Sequence, residues 1–155
     1  MTVEIGQPAP DAPFLRGDGT PSRINAFRGR SLVLYFYPKN DTSGCTREAQ
    51  AFTALIDDFT AAGAVVLGIS KDSAASHQKF TAKYGLKVHL GSDDADLLCN
   101  AFGVWVEKSM YGRKYMGIER ATFLIDAEGI VRAVWRKVKV SGHAQIVLEA
   151  VLALS

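Results

Sequence analysis

Two long apolar runs without a charged residue dominate the pattern of this chain. They cover Leu32–Tyr37 and Ala64–Ser70, and their near-continuous apolar character is typical of central parallel strands buried on both faces. Between them we predict a helix from about Gly44 to Ala61, because apolar residues recur there at helical spacing, at Ala49, Phe52, Leu55, Ile56 and Phe59. Gly63 is placed to end that helix.

Shorter patterns predict further elements around this strand-helix-strand unit. Near the beginning, Arg16–Arg23 is typical of a hairpin tip, because an Asp-Gly pair supplies a two-residue turn. After the second run, a helix is predicted over Ser73–Tyr84 and a short strand near Val88–Leu90. Asp93 and Asp94 then begin a short helix that ends near residue 102.

The last third of the chain predicts an antiparallel pair and a final helix. Arg120–Asp126 and Ile130–Trp135 are the paired strands, joined by a short turn. The helix begins at Ser141, a candidate N-cap, and its apolar face contains Val147, Ala150, Val151 and Leu154. No element is predicted between residues 104 and 119. The order of elements predicts an α/β, thioredoxin-like fold: a mixed sheet flanked by helices, with an N-terminal β-hairpin extension.

Composition and charge narrow the class of protein. The 155 residues fit one domain, residues 1–155, and a net charge of +2 gives no reason to expect nucleic-acid binding. The first residues show neither a basic nor an apolar signal segment, and no run is long enough to span a membrane. Two cysteines are too few for a disulfide scaffold and suit a reducing cytoplasm.

The candidate chemistry lies between the first apolar run and the helix after it. The run ends at Pro38, a polar loop covers Lys39–Gly44, and Cys45 follows at the start of the helix. The free N–H groups and the dipole of a helix N-terminus stabilise negative charge. This position therefore favours the thiolate, which is the reactive form of cysteine.

The segment Pro38–Cys45 has the form PxxxTxxC, which resembles the active-site motif of peroxiredoxins. YFYPKNDTSGCTREAQAF, GIERATFLID and FGVW resemble the bacterioferritin comigratory protein, or peroxiredoxin Q, subfamily over nearly the whole chain. The resemblance implies a thiol-dependent peroxidase that reduces hydrogen peroxide and organic hydroperoxides without a cofactor. Cys45 would be the nucleophile, with Thr42, Pro38 and Arg120 completing the site. The subfamily also favours a monomer.

The sequence departs from the subfamily at the resolving cysteine, the second thiol that reduces the sulfenic acid. Many members carry it five residues after the first cysteine, where this chain has Gln50, and others carry it in the next helix, which has none here. Cys99 is the remaining candidate, but its apolar neighbours favour a structural thiol. In that case an external thiol such as thioredoxin, glutaredoxin or glutathione would reduce Cys45. Otherwise local unfolding or a second subunit must join the two sulfurs.

The same sequence also allows other site residues and other protein classes. Glu48, one turn after Cys45, is more typical of a charge on a helix face than of a catalytic group. The histidines have no metal-ligand spacing with either cysteine, so we expect no metal site. A disulfide oxidoreductase would need a C-x-x-C pair, which Cys45 lacks. A non-catalytic redox sensor or binding protein with the same fold is the remaining alternative.

Overall fold

The computed structural model describes residues 3–154, so the outermost residues of the expected domain, 1–2 and 155, lie outside the described residues. Its main feature is a seven-stranded mixed sheet in the order β2-β1-β5-β4-β3-β8-β9, accompanied by a separate β6-β7 hairpin. The strands are β1 (Pro13–Arg16), β2 (Pro21–Arg23), β3 (Ser31–Phe36), β4 (Ala64–Ser70), β5 (His89–Ser92), β6 (Trp105–Met110), β7 (Arg113–Ile118), β8 (Ala121–Ile125) and β9 (Val131–Trp135).

Helices cover both faces of this sheet, which confirms the predicted fold class with its N-terminal hairpin. They are α1 (Ser43–Ala54), α2 (Ile56–Ala61), α3 (Ala74–Tyr84), α4 (Leu97–Ala101) and α5 (His143–Leu152), with a 3₁₀ turn at Ile24–Phe27. In the centre β3 pairs in parallel with β4 and antiparallel with β8. Both central strands are buried, as their apolar sequences predict.

Alternate residues of β3 point to opposite faces of the sheet and so create two separate cores. Leu32, Leu34 and Phe36 belong to one core, together with α4 and the N-terminal segment. Val33 and Tyr35 belong to the other core, together with residues of α1, α2, α3 and α5. A residue in one core is therefore separated from a residue in the other by the sheet itself.

Three predicted helix boundaries differ from the structure. The helix predicted over residues 44–61 is broken at Leu55, whose φ of −104° and ψ of 8° leave the helical region, and α2 restarts with two acidic residues in its first turn. The final helix begins at His143 instead of Ser141, because Gly142 adopts a left-handed φ of 74°. Likewise α4 begins at Leu97, after Asp96 at a φ of 61°.

The β6-β7 hairpin has no counterpart among the sequence predictions. Its two-residue turn is formed by Tyr111 and Gly112, both with positive φ, 53° and 78°. Such turns are usually recognised from Asn-Gly or Asp-Gly pairs, so a tyrosine in this place hides the hairpin.

Candidate active site

Cys45 lies in the first turn of α1, at the edge of the sheet where β3 ends. Its side chain is only 1% exposed and packs in the same core as Tyr37 and Phe52. The backbone N–H of Thr46 donates to the Thr42 carbonyl at 2.9 Å, which is the first hydrogen bond of the helix. The N–H groups before it, including that of Cys45, are left without an intrahelical acceptor. The buried thiol is thus carried by the helix turn whose N–H groups are free.

Arg120 approaches Cys45 from the neighbouring strand. Because β8 is antiparallel to β3, with Ala121 opposite Phe36, the residue before β8 lies where β3 ends. There the guanidinium Nη2 of Arg120 donates to Cys45 Sγ at 3.3 Å. A side chain at Gly44 would start 3.2 Å from the same Nη2, so the glycine leaves room for this approach. The structure therefore brings together two residues that are 75 positions apart in the sequence.

Glu48, predicted as a helix-face charge, is buried beside Cys45 and Arg120. Its side chain is 2% exposed, and Oε1 accepts a hydrogen bond from Arg120 Nη1 at 2.7 Å. Burial raises the pKa of Glu48 to about 7, although the nearby Arg120 opposes the shift. The sequence did contain a signal for this position. Cys45 and Glu48 are one helical turn apart, so both lie on the same side of α1.

Thr42 and Pro38 lie in the exposed loop that leads into α1. Thr42 occupies the N-cap position, but its side chain does not cap the helix, and its hydroxyl instead donates to the Lys39 carbonyl at 2.9 Å. The hydroxyl oxygen is left free to accept a hydrogen bond. Pro38 is exposed at the end of β3, whereas Cys45 is buried in the core that also contains Tyr37 and Phe52.

A cleft of about 590 Å³ opens beside this group, with Gly44 and Arg120 in its wall. Two further cations, Arg47 and Lys139, line it as well. The Arg120 guanidinium is thus both a neighbour of the Cys45 thiol and part of an open, positively charged surface. A small molecule in this cleft would contact Arg120, which donates a hydrogen bond to Cys45 Sγ.

A buried histidine, His143, packs against Phe52 in the core that contains Cys45. His143 Nε2 and the Thr122 hydroxyl are 2.8 Å apart, and the imidazole packs edge-on against Phe52 and Trp135. Burial, with a smaller effect of Arg120, lowers the pKa of His143 to about 4. A neutral ring is therefore present at neutral pH, and it adds no positive charge to the site.

Cys99 and Cys45 lie on opposite faces of the sheet. Cys99 is 0% exposed in α4 and belongs to the core on one face, whereas Cys45 belongs to the core on the other face. Its backbone N–H donates to the buried Asp93 carboxylate at 2.8 Å. Burial, with a further effect of Asp93, raises the pKa of the Cys99 thiol. Both cysteines are free thiols.

The three histidines are dispersed over the fold: His77 in α3, His89 in β5 and His143 at the start of α5. Within residues 3–154, no group of three or more histidine, cysteine, aspartate or glutamate side chains is arranged to hold a metal ion. In the same part of the chain, none of the helices is long and apolar enough to cross a membrane.

Comparisons with known proteins agree with this geometry. The AhpC/TSA family matches residues 5–134. Peroxiredoxin Bcp of Xanthomonas campestris is 50% identical over 143 residues, 92% of this chain and 89% of that protein. Peroxiredoxin Bcp of Bacillus subtilis is 46% identical over 155 residues, 100% of this chain and 99% of that protein. The solved bacterioferritin comigratory protein of X. campestris, studied for its alkyl peroxide reduction activity, superposes with a TM-score of 0.89 at 47% identity, covering 98% and 97% of the two chains. The chain therefore belongs to the AhpC/TSA family, as a peroxiredoxin of the Bcp type, and it is a thiol-dependent peroxidase.

Proposed function

We propose that this peroxiredoxin reduces hydrogen peroxide and organic hydroperoxides with Cys45 as its nucleophile. The observation that carries the proposal is the 3.3 Å contact between Arg120 Nη2 and Cys45 Sγ at the start of α1. The thiolate attacks one peroxide oxygen and the O–O bond breaks. Cys45 becomes a sulfenic acid, and the second oxygen leaves as water or an alcohol after taking up a proton.

Each of the other residues has a part in this step. The Arg120 guanidinium favours the thiolate and the negative charge that develops as the O–O bond breaks. The Thr42 hydroxyl, which donates to its own loop, accepts a hydrogen bond from the peroxide proton. The free N–H groups at the start of α1 hold the leaving oxygen. Pro38 fixes the direction in which the chain leaves β3.

The enzyme is of the one-cysteine type in this proposal, and Cys99 is a structural thiol. Its position on the opposite face of the sheet supports this, because a disulfide requires Cα atoms within about 7 Å of each other. The raised pKa of Cys99 supports it further, since the protonated thiol is a poor nucleophile. The sulfenic acid is then reduced by an external thiol, such as thioredoxin, glutaredoxin or glutathione.

The setting that fits this chemistry is a reducing compartment. Both cysteines are free, which agrees with a cytoplasmic enzyme that acts as a single domain over residues 1–155. A monomer is sufficient, because every residue of the proposed site comes from one chain.

The experiment that tests the function compares the wild type with Cys45→Ser. Stopped-flow mixing of the reduced proteins with hydrogen peroxide, followed by a thiol-coupled turnover assay, should show a fast reaction only in the wild type. Mass spectrometry of the oxidised wild type should find one added oxygen on Cys45. Turnover in Cys45→Ser would refute the assignment, and a single oxidation without turnover would instead indicate a redox sensor.

A further inference from the structure

The loop between β3 and α1 is attached to α3 through the side chain of Asn40. This side chain is 7% exposed, and its Oδ1 accepts a hydrogen bond from the Tyr37 hydroxyl at 2.6 Å. Its Nδ2 donates to the Ser76 hydroxyl at 3.1 Å and to His77 Nδ1 at 3.0 Å. Both amide protons and the amide oxygen are therefore engaged. An asparagine in an otherwise exposed loop is thus held as firmly as a core residue.

The backbone of the same residue is attached to the end of β4. The N–H of Asn40 donates to Asp72 Oδ2 at 2.9 Å, and that carboxylate also accepts from the Ser70 hydroxyl at 2.7 Å. The loop therefore has contacts to two elements that are more than 30 positions away in the sequence. Asn40 and Ser70 are buried, so water competes less for these hydrogen bonds and they are strengthened.

His77 is the buried end of this arrangement. It is 1% exposed, and burial lowers its pKa, so the ring is neutral and Nδ1 can act as the acceptor for Asn40. The Gly91 backbone lies near the ring, and Nε2 forms no hydrogen bond of ordinary geometry within residues 3–154. The ring is thus joined to the loop through Nδ1, and the reaction described above does not use it.

Asp41 adds a second attachment beside the first. It adopts a left-handed φ of 59°, and its carboxylate accepts hydrogen bonds from Lys83, at 2.7 Å, and from the Tyr84 hydroxyl. These partners belong to the last turn of α3, whereas Asn40 is bound to its first turn. Two consecutive loop residues are therefore anchored at the two ends of one helix.

We propose that Asn40 and His77 are positioning residues for peroxide reduction: their buried contact fixes the loop that presents Thr42 and begins α1, and so places Cys45 against Arg120. This proposal rests on the function proposed above. Asn40 is two residues from Thr42 and five from Cys45, so a shift of the loop is passed directly to both. A misplacement of about 1 Å between reacting groups can lower a rate by about 100-fold.

The test uses three variants and one matched control. Asn40→Ala removes the three side-chain hydrogen bonds from the loop, and His77→Leu removes the acceptor from α3. In His77→Asn, the amide oxygen can reach the place of Nδ1 and restore the bond. Lys79→Ala, an exposed change on the same helix, is the control. The second-order rate constant for hydrogen peroxide is measured over pH by stopped flow, and urea unfolding verifies that each protein is folded.

We expect Asn40→Ala and His77→Leu to react about 10- to 100-fold more slowly than wild type, with the pH midpoint of the rate moved upward. His77→Asn should recover most of the rate, and Lys79→Ala should match wild type. If His77→Leu does not fold, Asn40→Ala decides, because it creates no large cavity. A folded Asn40→Ala with the full rate, or a His77→Asn as slow as His77→Leu, overturns the proposal. A wild type no faster than Cys45→Ser would instead refute the function itself.

Discussion

The strongest test of the site is the removal of the Arg120 guanidinium by Arg120→Ala. In the structure this group donates to both Cys45 Sγ, at 3.3 Å, and Glu48 Oε1, at 2.7 Å. Its side chain is only 18% exposed, so both hydrogen bonds are largely removed from water. A hydrogen bond to a charged group contributes about 1.5–3 kcal/mol. Since about 1.4 kcal/mol corresponds to a factor of ten, losing this bond to the Cys45 thiolate should by itself slow the reaction with hydrogen peroxide about 10- to 100-fold.

Glu48 limits the effect that the removal of Arg120 has on the Cys45 thiolate. With Arg120 present, the carboxylate offsets part of the positive charge near the thiol. Without Arg120, the buried Glu48 loses its ion-pair partner and takes up a proton, so it adds little repulsion. The Cys45 thiolate therefore loses stabilisation mainly because the N–H···S hydrogen bond is missing.

The reaction with hydrogen peroxide should be slowed further, because Arg120 also stabilises the negative charge that develops as the O–O bond breaks. Removal of one donor to a developing negative charge lowers a rate by about 10²–10³-fold. Arg120→Lys should recover only part of the rate, because an ammonium cannot contact Cys45 and Glu48 at once with a planar fork. Arg132→Ala, which removes a partly exposed arginine on β9, is the matched control.

Two measurements on each variant test the two roles of Arg120. Thiolate absorbance is followed as a function of pH, and the rate with hydrogen peroxide is measured by stopped flow at a pH where Cys45 is fully ionised. An unchanged absorbance midpoint in Arg120→Ala would refute the electrostatic role. An unchanged rate at full ionisation would refute the role in the transition state.

Further predictions concern the buried thiol of Cys99, the buried carboxylate of Glu48 and the close packing at Gly68. Cys99→Ser should leave the first oxidation step unchanged, with the sulfenic acid accumulating as in wild type; a stoichiometric Cys45–Cys99 disulfide in wild type, detected by mass spectrometry, would show this to be wrong. Because the pKa of Glu48 is raised from 4.5 to about 7, the folded state binds its proton more tightly than the unfolded state, so wild type should lose stability as pH rises through this window. The free energy of unfolding of wild type, measured against that of Glu48→Gln with urea, should therefore fall by about 3 kcal/mol between pH 4.5 and 7. A difference between the two proteins that does not change with pH would contradict the raised pKa of Glu48. Gly68→Ala should destabilise the fold by about 1–3 kcal/mol, because its Cβ would lie 2.5 Å from the Tyr35 ring; an unchanged urea midpoint would count against this close packing.

Much of the architecture could be predicted because the signals are local. The runs that became β3 and β4 are charge-free stretches whose burial follows from their composition. The place of Cys45 at a helix start follows from the order of strand, polar loop and helical spacing. The hairpin at residues 105–118 was missed for an equally local reason: its turn uses Tyr111 in a conformation that sequence rules assign to other residues.

The chemistry of the site depended on contacts that no local pattern contains. The sequence by itself determined the thioredoxin-like order of elements and the motif residues Pro38, Thr42 and Cys45. Only the tertiary structure decided that Glu48 is buried against Arg120, since exposure depends on which face of α1 meets the sheet. Only the structure placed Cys99 in the core opposite to that of Cys45, because the face to which a helix packs is set by chain connectivity and not by its own residues. Hydrophobic periodicity acts over a few residues, whereas these contacts join positions that chain topology brings together across the sheet.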